Sequence, residues 1–339
     1  MKDTFISRTA LGSVVFVAGL MAAAAMARAE PHPGASEFVE RAVAEFGLDA
    51  AEVESLLSRA QYKQSIVDAM TRPAEGKPWH EYRPIFLNDR RIREGVGFWR
   101  DHEGLIDKVS QQFGVDPQII VAIIGVETLY GRITGSYRVI DALATLGFYY
   151  PAELSRDRSE FFSTELMHFM KLAQEEKLPT DEVTGSYAGA MGMGQFIPSS
   201  YRAYAVDFDG NGSRDLWRST PDVVASVANY LHEHGWKPAD PVVSPARVLP
   251  AADPALAANR NFKPRLSVGE LAEKGYHADS DLSPERRAAV LKLEEEDHDS
   301  YWLTFDNFYV ITRYNRSPLY AMAVLQLSEA IREGMGLEG

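Results

Sequence analysis

The chain has 339 residues, a net charge of −13, 45% hydrophobic residues, 24% charged residues and no cysteine. That length and apolar content support a sizeable core, in about two domains or one with an insertion, and argue against disorder. The acidic balance argues against a nucleic-acid partner, and the missing cysteines exclude disulfide frameworks, cysteine–zinc sites and thiol nucleophiles.

Residues 1–29 read as a secretory signal peptide. Lys2 and Arg8 precede an apolar run from Ala10 to Met26, and Ala27-Arg28-Ala29 gives a small-x-small cleavage site before Glu30. No cysteine follows to carry a lipid, so the expectation is an exported chain without a stable membrane anchor. Helical periodicity then runs through 36–72 as a hairpin: Phe38, Val39, Ala42, Val43 and Phe46, a stop at Gly47, then Val53, Leu56, Leu57 and Ala60. Another helix is expected over 88–113. Asp116-Pro117 opens the next, which Gly131 closes. Helices at 158–176 and 221–234 follow. After Trp236 the chain turns Pro- and Ala-rich, and Ala289–Glu294 and Tyr301–Phe305 pair as strands across Glu295–Ser300. Phe308–Tyr314 reads as strand or loop, and a last helix spans about Pro318–Glu333. The class is mainly α (α+β).

The helix after Asp116 reads PQIIVAIIGVETLY, apolar on nearly every face, so it should be buried all round. Glu127 stands near its C-terminal end. Burial and the negative end of the helix dipole both favour the protonated carboxyl there, which is what a general acid needs. The alternative is a surface glutamate at an exposed helix end, or one paired with a distant arginine. Serine-elbow, His-Glu-x-x-His and phosphate-loop patterns are absent.

Three further stretches carry chemistry or packing. GSYAGAMGMGQFIP (185–198) holds four glycines and two alanines among residues 185–194, allowing either close backbone approach to a ligand or a tight crossing. Residues 308–322, FYVITRYNRSPLYAM, mix aromatic faces with amide donors, suiting sugar rings or an ordinary core. DFDGNGSRD (207–215) places Asp207, Asp209 and Asn211 at alternate positions before Gly212, the front half of an EF-hand loop. Its twelfth position, normally Glu, is Arg218; Asp222 is the nearest substitute carboxylate. The expected occupant is a structural hard cation, Ca²⁺ before Na⁺ or Mg²⁺; the other reading is an Asp/Gly turn bonded to its own backbone.

GVETLYG (125–131), DALATLGFYYP (141–151), GSYAGAMGMGQFIPSSY (185–201), AVDFDGNGSRDLW (205–217), SVANYLHEHGW (226–236) and ITRYNRSPLYAMAV (311–324), in this order, resemble the lytic transglycosylase B family of bacterial cell-wall enzymes. The resemblance covers roughly 36–335. It implies a lysozyme-like helical core with one catalytic glutamate, here Glu127, which protonates the leaving oxygen of the MurNAc–GlcNAc bond. The same residue then deprotonates the muramoyl O6 hydroxyl, closing a 1,6-anhydro ring. No cofactor is implied for the chemistry. Ser186 and Gln195 match site positions. Tyr82, Tyr230, Tyr314, Asn315 and Tyr320 match the saccharide cleft. Asp207, Asp209, Asn211, Ser213 through its backbone, and Asp222 match a metal site. One departure follows Pro151, where Ala152-Glu153 replace two consecutive arginines and Arg156 and Arg158 come later in a longer loop.

The expected organisation is a signal peptide at 1–29, an N-terminal helical segment at 30–95 and a lysozyme-like catalytic core with the EF-hand-like loop at 96–237. A small α/β insertion module at 238–305 precedes the return to the core and a C-terminal helix at 306–339. The expected partners are peptidoglycan glycan strands, with room for other cell-wall synthesis or remodelling proteins, and the expected state is a periplasmic monomer. Three rivals stand beside this reading: a hydrolytic muramidase on the same core, a non-catalytic peptidoglycan-binding scaffold, and a calcium sensor, which one incomplete loop with no second EF-hand argues against.

Overall fold

The computed structural model describes residues 31–72, 76–258 and 261–337. The expected signal segment lies outside them. Helices dominate: fifteen helices and seven short strands occur among the described residues.

The N-terminal part is α1 (Ala35–Phe46), α2 (Ala50–Arg59) and a third helix, α3 (Gln64–Met70), that periodicity alone merged into the hairpin. Gly47 turns α1 off in a left-handed conformation, and the Asp49 side chain caps α2 through the Glu52 amide. This part docks on α8 (Val139–Phe148) and α9 (Ser159–Glu176). Buried Asp141 accepts from the Gln61 amide at 2.8 Å and from Arg138 at 2.6 Å. His32 is buried too, stacked on Phe148 with ring centroids 5.0 Å apart.

The body follows as α4 (Trp79–Phe86), α5 (Asp89–Asp101), α6 (Glu103–Phe113) and α7 (Pro117–Thr128). The helix expected over 88–113 is thus two, broken at His102. The break has a packing reason, since α5 lies on the last helix of the chain and α6 on α11 (Thr220–Glu233). α7 is buried along nine of its twelve residues, as its composition requires. A two-stranded ribbon, β1 (Tyr137–Arg138) with β2 (Thr184–Gly185), and α10 (Pro198–Tyr204) complete this side.

Between α11 and the C-terminal helices lie β3 (Val243–Val248), α12 (Pro254–Ala257), β4 (Leu266–Ser267), α13 (Val268–Glu273), β5 (Tyr276–Ala278), β6 (Arg287–Glu294) and β7 (Asp299–Thr304). The sheet is antiparallel, in the order β4-β6-β7-β3-β5. The β6–β7 hairpin pairs Ala289 with Thr304 through Glu294 with Asp299. Alternation along β6 sends Ala288 and Val290 into a small core with Leu271, Tyr276 and Phe305, whereas Leu291 and Leu293 join the main core. Buried Asn307 ties entry to exit: it accepts from the Lys237 amide at 2.8 Å and donates to the Lys237 and Asp240 carbonyls at 2.7 and 3.0 Å.

The chain ends with α14 (Asp306–Tyr314) and α15 (Pro318–Gly334), which packs along α7. Residues Phe308–Tyr314 are therefore helical, not strand or loop. Phe308 and Ile311 both point into the core, a three-residue spacing that a strand could not bury on one face. Among the described residues no single helix is long and apolar enough to cross a membrane.

Candidate active site

Glu127 lies in the last turn of α7, half-buried at the surface of an otherwise enclosed helix. Tyr320 donates to Glu127 Oε1 at 2.6 Å. α15 sets this contact: Ser317 caps the helix through the Tyr320 amide at 3.3 Å, with Pro318 at its first position. Tyr320 is only 2% exposed. Burial first, and the Glu127 charge second, push its phenol well above the ordinary tyrosine range. Tyr314 is shifted up for the same two reasons in the same order. Glu127 is thus the acid whose charge acts on both phenols.

The other matched aromatics sit behind this pair. Tyr314 donates to the Gly194 carbonyl at 2.6 Å, and Tyr230 to the Arg313 carbonyl at 2.5 Å. Their rings meet edge to face at 4.7 Å. Tyr82, on α4, is buried, packs against Trp79 and Phe86, and lies near enough to Tyr320 to raise its phenol further. Asn315 accepts from the Ser317 amide at 3.1 Å, at the turn into α15. Tyr82, Tyr230 and Tyr320 are all buried, and of the three Tyr320 meets the carboxylate.

The small-residue stretch meets the end of α7 through Thr128 and α14 through Tyr314. A Cβ on Gly135 would lie 2.0 Å from the Gly185 carbonyl oxygen, and one on Gly185 2.2 Å from that of Ala190. These glycines therefore serve a crossing of backbones. Ser186 Oγ accepts from the Ala188 and Ala190 amides at 3.3 and 3.1 Å, folding the loop on itself. Gln195, left-handed at φ 51°, donates to the Thr134 and Gly192 carbonyls at 3.1 and 3.0 Å. Thr128, which sequence reasoning missed, donates to the Met193 carbonyl at 2.8 Å and accepts from the Gly131 amide at 3.0 Å, joining the loop to the end of α7. Its only sequence signal is its place beside Glu127.

The aspartate loop lies between α10 and α11. Asp207, Asp209 and Asp222 can each offer an oxygen within 4.8 Å of the others. Asp207 accepts from the amides of Gly210, Asn211 and Gly212 at 2.9, 3.1 and 2.8 Å; Asn211 accepts from the Ser213 amide at 3.0 Å. Asp222 is fully buried and accepts from the Phe208 and Asp215 amides at 2.8 and 2.9 Å. Arg218 is exposed. Three converging carboxylates with an all-oxygen donor set fit a hard cation. Two cavities, of about 470 Å³ between α2 and α9 and about 410 Å³ beside Asp116 and Trp236, contain neither Glu127 nor this loop.

A family model described as the transglycosylase SLT domain matches residues 31–329. Membrane-bound lytic murein transglycosylase B of Escherichia coli (strain K12) is 39% identical over 310 residues, 88% of this chain and 83% of that protein. The soluble lytic transglycosylase SltB1 from Pseudomonas aeruginosa superposes with a TM-score of 0.81 at 45% identity, over 90% of this chain and 100% of its own. The Escherichia coli lytic transglycosylase Slt35, solved in complex with calcium, gives 0.79 at 40% identity, over 90% of this chain and 94% of its own.

Proposed function

The chain belongs to the SLT transglycosylase family, and from that membership we propose that Glu127 alone carries its chemistry, as acid and then as base. The protein is a lytic transglycosylase acting on peptidoglycan, with the mostly helical, lysozyme-like fold of its relatives. Glu127 gives its proton to the oxygen leaving C1 of MurNAc. The neighbouring N-acetyl group stabilises C1 as the bond breaks, one of the substrate-assisted exceptions to two-carboxylate glycosidases. The Glu127 carboxylate then takes the O6 proton, and O6 closes on C1. Glu127 ends protonated, ready for the next bond, and no water is consumed.

The single observation that carries this is the Tyr320–Glu127 hydrogen bond. A phenol held above its ordinary range stays a donor, so it fixes the carboxylate without competing for the proton in transit. Tyr82, Tyr230, Tyr314 and Asn315 support the cleft wall, and Ser186 and Gln195 shape the facing loop. Asp207, Asp209, Asn211, Ser213 and Asp222 hold a structural Ca²⁺, which supplies rigidity to the loop before α11. The place of action is the periplasm, after removal of residues 1–29.

Mass spectrometry of digested peptidoglycan tests the reaction. Products one water lighter than hydrolytic muropeptides, and resistant to borohydride, are expected from the wild type. Glu127→Gln should lower their rate by about 10²–10⁴-fold. Reducible ends would instead identify a muramidase, and no products with binding retained would identify a scaffold.

A further inference from the structure

Arg91 is a half-buried cation whose donors go to backbone. Its Nε donates to the Gly125 carbonyl at 3.0 Å, its Nη1 donates to the Ile85 carbonyl, and its guanidinium lies over the Phe86 ring at 5.1 Å from the centroid. Among the described residues no carboxylate forms an ion pair with it. Nearby Glu94 is taken by Arg90 at 3.0 Å and Arg132 at 2.7 Å. Burial lowers the guanidinium's pKa, so the position is one the side chain occupies against its solvation preference. The two carbonyls it joins are informative. Ile85 closes the segment that carries Tyr82, and Gly125 is two residues before Glu127 in the last turn of α7, where a positive charge suits the helix dipole.

Tyr130 completes the connection. Leu129, Tyr130 and Gly131 are all left-handed, at φ 50°, 56° and 84°, a run that non-glycine side chains avoid and that cannot be an accident of a mobile surface, since Leu129 is buried. The reversal folds the phenol back beneath α7, where it donates to the Arg91 carbonyl at 3.0 Å and stacks on Phe98 at 5.5 Å. Gly125 and Gly95 make the room; a Cβ on either would lie 2.4 or 2.3 Å from the Tyr130 oxygen. Strained backbone, two close glycines and a buried cation thus converge on one point behind the candidate catalytic residue.

We propose that Arg91 and Tyr130 are positioning residues, a clamp that sets the register between the Tyr82–Phe86 wall and Glu127. The proposal rests on Glu127 as the acid–base residue. Neither side chain meets the reacting atoms; both act through the placement of α4 and of the last turn of α7.

The test uses the mature chain with peptidoglycan, comparing Arg91→Met, Arg91→Lys and Tyr130→Phe, with Glu127→Gln in parallel. Tyr130→Phe keeps the ring and removes only the donor, so it folds even if Arg91→Met does not. Rates are normalised to the folded fraction, which removes a purely structural loss. The clamp predicts that kcat falls ~10–100-fold for Arg91→Met while KM stays within about threefold, the cost of a misplaced reacting group. Arg91→Lys, able to reach one carbonyl instead of two, falls between, and Tyr130→Phe lowers kcat by at least about threefold. Wild-type kcat in all three variants, or a change confined to KM, overturns the clamp while Glu127→Gln stays inactive. An active Glu127→Gln overturns the assignment of Glu127 and the clamp with it.

Discussion

The bond from Tyr320 to Glu127 is the residue-scale feature with the most direct consequence. Removing one donor to a charged group costs about 1.5–3 kcal/mol. Since each 1.4 kcal/mol is tenfold in rate, Tyr320→Phe should lower kcat by about 10–100-fold. Its Tm should fall by no more than several degrees, because the ring keeps its buried place and only the hydrogen bond is lost. Unchanged product formation by Tyr320→Phe would contradict the role given to this phenol. Glu127 was legible as a candidate because its helix is apolar on nearly every face, so one acidic side chain stands out. Tyr320 is named only through the resemblance, as a cleft residue and not as the partner of Glu127: it is 193 residues away, and nothing local distinguishes it from a core tyrosine. Arg91 and Tyr130 were invisible for a related reason. Their meaning lies in which backbone carbonyls they meet, and carbonyls carry no sequence signature.

At the scale of elements, the loop before α11 joins three acids whose charges, among the described residues, are balanced only by backbone amides and the Ser219 hydroxyl. Ca²⁺ should therefore raise the Tm, and a chelator should lower it, with kcat little affected below the transition. Exposed Asp209→Asn should abolish that calcium shift at small intrinsic cost. Buried Asp222→Asn should lose about 1–3 kcal/mol even without metal, because its new NH2 group would face either the Phe208 or the Asp215 amide. A Tm indifferent to calcium in the wild type would remove the cation from this account. The elements themselves were legible where local and tertiary preferences agree. Asp116-Pro117 and the apolar run fixed α7, and two short segments flanking the acidic Glu295–Ser300 connection marked β6 and β7. α14 was misread because Tyr, Val, Ile and Thr favour strands, whereas its buried residues are spaced for a helix. The break at His102 left no trace, since Trp99, Ile106 and Val109 keep helical spacing across it. α8 was missed as an element because VIDALATLGF is buried on all sides and shows no amphipathic period.

For the whole molecule, charge and two histidines give two expectations. A chain at −13 gains no attraction from an anionic wall, so binding rests on shape, aromatic surface and hydrogen bonds. Sedimentation with sacculi should vary by less than about threefold between low and physiological salt, where the Debye length falls toward ~8 Å. A steep loss with salt would point to a basic docking surface instead. Burial, the largest cause, lowers the pKa of both His32 and His168. The unfolded chain then binds more protons than the folded one below the ordinary histidine value of 6.5. Stability should hold above that pH and decline as pH falls through it toward the lower folded values. His32→Phe should flatten part of the decline in a Tm-against-pH series; an unaltered slope would exclude His32 as a source. The arrangement at Asn307 bears on how this molecule can change over time. Its three hydrogen bonds hold the departing and returning chain side by side, so residues 243–304 leave and rejoin the main body at one point, while Leu291 and Leu293 of β6 also pack into the main core. Closing a longer loop costs only about 0.6 kcal/mol per doubling of length. The junction therefore acts as a socket for changes of length in the parts distant from β6, whereas β6 itself is tied through α4 to the Tyr82 side of the site.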